Sequence, residues 1–376
     1  MLETIPAVFR LLTEKEITLT PFSVTSTLPS IMNGGKDFSE WSKKDDLLYR
    51  TMRLPVETIL GRDGVGLADC AIAESKFEKG EDISRRLLSL ISRIGEIQRN
   101  GTPDIEFALT GLLARSQLAA GQAEEAKRTV EDLKKRFLDN GQTRFRANIN
   151  GLLCRIALYR GAMDEADNWY RIGAPRAPLC FRVMKRYRYL TQAMVELAQD
   201  RPDAVLLTLA PMETYCQACG RQIDGIHLHI LQALAYYRKK DAVWKEILTK
   251  ALDTAAKYGF IRTVSGYGAA VLPLLEELGY TGGSEKWRQK LLRDVRAQAS
   301  LYPLFLQPER SLSAALTGTE LQILRLICAD KSNAEIGEIM NIKLSTVKTH
   351  VSHILGKLGV SRRLEAKTAA KKLWLI

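Results

Sequence analysis

A regular repeat is the feature that most restricts how this chain can fold. Three apolar helical stretches end at Gly80, Gly121 and Gly161, which follow one another at nearly equal intervals. Glycine is favoured after a helix because it adopts the left-handed backbone conformation without strain. Asp200 and Lys240 continue the same spacing without glycine. A fixed period of roughly 40 residues is typical of a solenoid of helix pairs, since one pair cannot bury its apolar face alone.

Small residues support the assignment of helix pairs. Ala126, Ala166 and Ala204 follow the turns, where a second helix must pack closely against the first. Unrelated helices that alternate with glycines are the alternative. The pattern predicts an all-α fold, an α-solenoid whose six helix pairs cover 66–98, 104–139, 143–173, 180–219, 221–259 and 261–300.

Proline and glycine positions divide the chain into four parts. Prolines at 6, 21, 29 and 55, with Asn33-Gly34-Gly35 between them, predict an irregular first segment over 1–65. The helical arm follows over 66–300. Two prolines enclose a short apolar run within Ser300–Pro308, which predicts a linker over 301–313. The remaining residues, 314–376, form a separate domain.

Composition and charge restrict the class of protein. Apolar residues make up 46% of the chain and charged residues 26%, so disorder of the whole chain is excluded. A net charge of +12 favours polyanionic partners, with nucleic acid ahead of a membrane surface. Six scattered cysteines do not resemble a secreted disulfide framework. We expect a cytoplasmic protein without a membrane span, because no basic leader and no apolar run long enough to cross a bilayer occurs.

The C-terminal part of the chain, residues 314–376, carries the most specific pattern. Thr317–Glu320 and Ser332–Glu335 each have the form of a capping box, and each precedes an apolar helical stretch. After a short turn, Ser345 is expected to cap a third helix, whose buried stripe is Val347, Val351, Ile354 and Leu358. Ser361 caps a fourth helix. Two capped helices that meet at a short turn predict a helix-turn-helix, in which the second helix of the motif fits the major groove of DNA.

These residues resemble a known family at many points. The matching pattern is Leu316-Thr-x-x-Glu-x-x-Ile-Leu324, Ser332-Asn-x-Glu-Ile336 and Ser345-Thr-Val-Lys-x-His-Val-x-x-Ile-Leu-x-Lys357, continued by Val360-x-x-Arg-x-Glu-Ala366. It is similar to the LuxR-type DNA-binding domain, a four-helix helix-turn-helix. Asp330 stands where that family usually has glycine, and Gly337 where it usually has alanine. Asp330 lies near a phosphate-facing turn, so we expect it to weaken DNA binding.

The resemblance implies a set of DNA contacts. Base-facing residues would be Lys348, Thr349 and Ser352, and phosphate contacts would be Thr346 and Lys357. Ser345 and Asn333 belong to the same DNA-binding set. His350 lies between the buried and exposed faces of its helix, so a packing role and a DNA contact both remain open.

The arm is similar to the tetratricopeptide-like arm of MalT-like regulators. Ile226–Ile230 and Tyr258–Arg262 carry this resemblance together with the helix-pair architecture. Members of that class begin with an ATPase module, but no Gly-x-x-x-x-Gly-Lys-Ser/Thr occurs in this chain, and Gly35-Lys36 lacks the required neighbours. We therefore expect no ATPase activity, no other enzyme activity and no cofactor. The chain is either a short natural regulator or a fragment of a longer one.

The concave side of a solenoid suits a peptide, a partner or a small ligand. The candidate effector-binding residues are Arg155, Arg188, His227, Arg262 and Tyr267, and ordinary helix packing is the alternative for each of them. Cys216-x-x-Cys219 with His227 and His229 suggests a zinc half-site. The His-x-His spacing would point the two rings in different directions on a helix, so we expect a buried helix and no metal.

Together these patterns predict a transcriptional regulator whose helical-repeat arm senses an unknown small-molecule or protein effector. Its partners would be double-stranded DNA and RNA polymerase, and it would bind DNA as a homodimer on paired half-sites. The alternative is a helical-repeat scaffold protein whose tail does not bind DNA. A hydrolase or transferase has little support, because no nucleophile elbow, paired metal ligands or phosphate loop occurs.

Overall fold

The computed structural model describes residue 37 and residues 39–175, 185–307, 316–357 and 362–372. Within these ranges every regular element is a helix, so the all-α fold class is confirmed. Helices α1 to α20 are, in chain order, Ser39–Ser42, Asp45–Leu60, Leu67–Glu78, Ser84–Ser92, Ile94–Asn100, Pro103–Ala119, Ala123–Asp139, Arg146–Arg160, Met163–Gly173, Arg186–Ala198, Pro202–Cys219, Gln222–Arg238, Trp244–Tyr258, Arg262–Ser265, Gly268–Leu278, Glu285–Leu301, Gly318–Cys328, Asn333–Met340, Leu344–Lys357 and Arg363–Lys372. No helix in the described part is long and apolar enough to cross a membrane.

Helices α3 to α16 form the predicted pairs. The first pair joins α3 to α4 and α5, the next four are α6/α7, α8/α9, α10/α11 and α12/α13, and the last joins α14 and α15 to α16. The repeating turn residues all have left-handed backbone conformations, with φ +68° at Gly80, +83° at Gly121, +69° at Gly161, +57° at Asp200 and +58° at Lys240. The five turns that recur with the sequence period therefore share the left-handed backbone conformation, including the two turns that lack glycine.

Two apolar clusters form the interior. One runs through the whole helical arm and includes Ala126 and Ala166, both fully buried where paired helices meet. The second is confined to α17–α20. A separate core for the last four helices agrees with a domain of their own, although the predicted domain limits at 65, 300 and 313 remain predictions.

The described part of the first segment differs from the irregular chain expected there. Asp45–Leu60 is an α-helix that contains Pro55. The Asp45 carboxylate lies against the arm and accepts hydrogen bonds from Ser75 Oγ at 3.0 Å and from Lys79 Nζ at 2.8 Å. These tertiary contacts fix a helix that the proline pattern alone argues against. Residues 1–36 lie outside the described residues.

The first helix pair touches the last, so the arm closes on itself. The backbone N–H of Ile261 donates to the Glu78 carbonyl at 2.6 Å, and Thr263 Oγ1 donates to Glu78 Oε2 at 2.7 Å. Lys290 Nζ donates to the Lys79 carbonyl at 2.7 Å. Contacts between residues that are far apart in the sequence therefore enclose the concave side of the array.

The six residues Tyr302–Gln307, here called the anchor segment, pack into that concave side. Phe305 is 2% exposed, and its ring stacks on Tyr159 with centroids 4.0 Å apart and planes 7° from parallel. Tyr302 Oη donates to the Leu118 carbonyl at 2.9 Å. The described start of the predicted linker is thus part of the arm's packed interior, whereas residues 308–313 lie outside the described residues.

Candidate nucleic-acid interface and enclosed cavity

Two capping boxes fix the helices of the C-terminal motif. Thr317 Oγ1 accepts from the Glu320 amide at 3.3 Å, and the Glu320 carboxylate accepts from the Thr317 amide at 2.6 Å. Ser332 and Glu335 make the same pair of bonds at 3.2 and 2.7 Å. The backbone N–H of Ser332 lowers the pKa of Glu335 to about 2, so its carboxylate is charged at neutral pH. Both capping boxes expected from the sequence are confirmed.

The third helix of the motif, α19, begins two residues earlier than a Ser345 cap would place it. It starts at Leu344, and the Val347 amide already donates to the Lys343 carbonyl. Ser345 therefore lies in the first turn, and its predicted role as the cap is wrong. Three residues of the expected buried stripe, Val347, Val351 and Ile354, pack in the same cluster as α17 and α18, whereas Leu358 lies outside the described residues. The opposite face of α19 is left to solvent.

That exposed face carries most of the residues implied as DNA contacts. The side chains open to solvent are Ser345, Thr346, Lys348, Thr349 and Ser352. Thr349 Oγ1 donates to the Ser345 carbonyl at 3.1 Å, which holds its methyl group in a fixed direction. His353, also exposed, lies four residues after Thr349 on the same face, and the helical spacing alone could have identified it. The side chain of Lys357 lies outside the described residues.

His350 and Asn333 occupy less open positions. His350 is partly buried at the edge of the exposed face, and its Nδ1 has no hydrogen-bond partner among the residues that the structure describes. Asn333 is half-buried, and its Oδ1 accepts from Arg363 at 2.9 Å. Arg363 also donates to the Lys331 carbonyl. Arg363 therefore joins α20 to the start of α18, and Asn333 has a structural contact in addition to its expected role at DNA.

The two departures from the usual family pattern have local explanations. Asp330 has a φ of +60°, the conformation in which glycine is favoured, and its carboxylate pairs with Lys367 at 2.7 Å. This ion pair offsets the negative charge near the turn. At Gly337, an added Cβ would lie 2.9 Å from the Ile342 carbonyl oxygen. The turn after α18 therefore packs too closely against position 337 to leave room for a residue larger than glycine.

The helical arm encloses a cavity of about 110 Å³ on its concave side. Four of the five predicted effector-binding residues line it: Arg155, His227, Arg262 and Tyr267. Arg188 does not line this cavity, and lies instead at a separate shallow pocket beside Lys185. Arg115 also lines the cavity, one sequence repeat before Arg155, so the repeat period could have identified it.

The cavity wall joins charged and aromatic groups. Arg155 lies over the Tyr187 ring, 3.8 Å from its centroid, and its Nε donates to Thr191 Oγ1 at 2.8 Å. His227 Nδ1 lies 3.0 Å from Tyr267 Oη. Burial, reinforced by the nearby Arg155 charge, lowers the pKa of His227 to about 4, so its ring is neutral at pH 7.

The Cys-x-x-Cys pair sits in a packed helix. Cys216 is buried in α11, and burial raises the pKa of its thiol. Within the described ranges, no group of three or more His, Cys, Asp and Glu side chains could hold a metal ion.

The fold and site define a class of protein: a closed array of helix pairs followed by a helix-turn-helix domain with an exposed polar recognition helix. Residues 92–280 match the family model described as the MalT-like TPR region, and residues 314–370 match the bacterial regulatory proteins of the luxR family. The chain belongs to the MalT-like TPR family and carries a luxR-family domain at residues 314–370.

Curated relatives agree with this assignment. The chain is 23% identical over 298 residues to the HTH-type transcriptional regulator MalT of Vibrio campbellii, and 22% identical over 298 residues to MalT of Vibrio parahaemolyticus. Each alignment covers 74% of this chain and 33% of the relative. The chain thus spans about a third of the length of these relatives. No solved structure matches it.

Proposed function

We propose that the protein is a sequence-specific DNA-binding transcriptional regulator whose helical arm senses an effector. The observation that carries this proposal is the exposed polar face of α19, opposite the buried stripe of Val347, Val351 and Ile354. A helix held in this way by two capped neighbours can enter the major groove, where polar side chains read base edges. The family match over residues 314–370 supports the same role.

Charge favours the same partner. Residues 314–376 contain ten Lys and Arg against five Asp and Glu. Duplex DNA attracts such a domain through its phosphates, and each neutralised phosphate releases condensed counterions. We propose that the regulator binds paired half-sites as a homodimer, recruits RNA polymerase in the cytoplasm and catalyses no reaction.

A selection experiment tests the proposal. The full chain is incubated with a randomised duplex pool at moderate salt, and the retained DNA is sequenced. We expect enrichment of one motif with two related half-sites. The binding constant of that motif should decrease as salt increases, with a log–log slope of about 0.9 per phosphate contacted. A pool without any enriched motif would favour the scaffold alternative.

Lys348 provides the sharpest single-residue test. Lys348→Ala should weaken binding to the selected motif by about 1–3 kcal/mol, roughly 5- to 150-fold, and relax base preference at one position, if Lys348 reads a base. Fluorescence anisotropy on the motif and its single-base variants measures both effects. Lys135→Ala, at an exposed site on α7, is the matched control and should leave binding unchanged. Equal losses on all sequences would make Lys348 a phosphate contact.

The arm supplies the proposed sensor. Its closed concave side contains a cavity large enough for a small molecule, and four of the residues expected to contact an effector line that cavity. The anchor segment connects this cavity to the DNA-binding domain, because Phe305 both lines the cavity and precedes residue 316 by only eleven positions. An effector in the cavity can therefore act on the chain that leads to α17.

A further inference from the structure

We infer that the enclosed cavity of the arm binds a small organic oxyanion, a carboxylate or a phosphate ester, between Arg155 and Arg262. This inference rests on the proposed sensor function and names the class of effector. It is carried by the charges of the cavity wall, by an unpartnered buried hydroxyl and by the size of the space.

The carboxylates of the wall form ion pairs with other arginines. Arg115 lies 3.2 Å from Glu74 and also pairs with Glu78. Asp224 pairs with Arg221 at 2.8 Å. Each of these carboxylates therefore contacts an arginine other than Arg155 and Arg262, the two remaining arginines of the wall.

Arg155 and Arg262 have no such partner. Within the described residues, no carboxylate lies within ion-pairing distance of either guanidinium group. Arg155 donates only to neutral groups, Thr191 Oγ1 and the Tyr187 carbonyl. Arg262 lies 5.8 Å from the centroid of the Phe77 ring, and its Nε has no hydrogen-bond partner. An anion bound in the cavity would therefore supply the ion pair that both half-buried guanidinium groups lack among the described residues.

Neutral groups complete the site. Ser265 is fully buried at the cavity wall, and no group in the described part of the chain forms a hydrogen bond with its Oγ. A hydroxyl in that position can donate to an oxyanion without adding charge. Aliphatic and aromatic side chains form the rest of the wall, and the aromatic ones that offer apolar surface to the body of a ligand are Phe77, Tyr159, Tyr187, Tyr267 and Phe305.

The volume limits the ligand to a small molecule. The cavity of about 110 Å³ is comparable with the engineered apolar cavity of about 150 Å³ that admits benzene. A ring or short chain with one oxyanion group fits these limits, whereas a peptide does not. Bidentate guanidinium contacts favour the planar carboxylate or the phosphate oxygens over a neutral isostere.

Calorimetric titration of the full chain with benzoate, phenyl phosphate and neutral benzamide tests this inference. We expect benzoate or phenyl phosphate to bind at least tenfold more tightly than benzamide, and the stronger of the two identifies the oxyanion. Arg262→Met and Arg155→Met should each weaken that binding tenfold or more. Arg128→Met removes an arginine that is 71% exposed on the outer surface and should have no effect.

Two further variants separate loss of the anion site from a folding defect and from loss of DNA recognition. Arg262→Lys retains the charge and should bind the preferred probe within a few-fold of the unmodified chain, which separates a charge requirement from a folding defect. Lys348→Ala should bind the probe normally, so failure of DNA recognition and failure of the anion site are distinguishable. Binding of benzamide as tight as that of both anions, or no binding of either anion, would overturn the inference.

Discussion

At the scale of single residues, left-handed turn positions are the strongest constraint on this chain. The αL conformation costs a residue with a Cβ roughly 1–2 kcal/mol, yet Asp200, Lys240 and Asp330 all adopt it. Asp330 has a compensating ion pair with Lys367. Lys240 is exposed, and its backbone N–H donates to the Tyr237 carbonyl in the turn of the repeat. The period of the repeat is thus imposed by packing of the pairs rather than by glycine alone.

Replacement of Lys240 by glycine should stabilise the arm. We expect Lys240→Gly to raise the free energy of unfolding by about 1 kcal/mol, because glycine adopts a positive φ without a steric penalty. Urea denaturation followed by circular dichroism measures the change. The control is Lys135→Gly, in the middle of an exposed helical stretch, which should lower stability by about 1 kcal/mol. Destabilisation at both positions would contradict the argument.

The buried imidazole of His227 should make stability depend on pH. Its pKa is about 4 in the folded chain and roughly 6.5 when unfolded, so the unfolded state binds more protons between these values. The free energy of unfolding should therefore decrease as pH falls from 6.5 towards 4. His227→Gln should remove this part of the pH dependence, whereas His353→Gln, at an exposed site, should leave it intact. Denaturation curves at several pH values compare the three proteins.

At the scale of elements, the anchor segment joins the arm to the DNA-binding domain. Its residues Tyr302, Phe305 and Leu306 are buried although no regular helix contains them, and the Leu306 carbonyl accepts a hydrogen bond from Arg238. The stack of Phe305 on Tyr159 places an aromatic ring of this segment at the cavity wall. The segment is therefore held by tertiary contacts that a ligand in the cavity would touch.

Loss of the Phe305 ring should weaken the arm measurably. Phe305→Ala removes a fully buried aromatic side chain and should cost about 3 kcal/mol of unfolding free energy. Leu207→Ala, on an exposed leucine of α11, should change stability by less than about 0.5 kcal/mol. Chemical denaturation of both variants provides the comparison. An effect of Phe305→Ala as small as that of the control would show that the segment is not seated in solution.

Sequence reasoning succeeds for local patterns and fails for distant contacts. The glycine period predicted the helix pairs, and the two capping boxes predicted the starts of α17 and α18, because each signal lies within a few residues. Helix α2 was missed because Pro55 was weighed without the contacts of Asp45. Four of the five candidate effector-binding residues named from the sequence line the cavity, but nothing local marks the contact of Glu78 with Thr263, so the closure of the array could not be predicted.

At the scale of the whole molecule, closure changes how the array should unfold. In an open solenoid each pair contacts only its neighbours, and the ends can open independently. Here the first pair is bonded to the last through Glu78 and Lys79. Loss of either end therefore exposes the interior shared by the other pairs. We expect the arm to unfold as one cooperative unit.

Thr263→Val tests this coupling between distant parts of the chain. It removes the hydrogen bond to the buried Glu78 carboxylate and should cost about 2 kcal/mol. Circular dichroism and tryptophan fluorescence should report one shared, shifted transition. Thr249→Val, whose hydroxyl donates only to the Lys245 carbonyl of its own helix, should change little. Separate transitions for the two probes would show that the array opens from its ends.

The packed anchor segment also limits the length of chain that connects the arm to the DNA-binding domain. From Gln307 to Leu316 the chain has nine steps, which span at most about 30 Å when fully extended. Release of the six anchor residues would increase this maximum span by about 20 Å. Seating of Phe305 therefore decides how far the DNA-binding domain can reach from its arm.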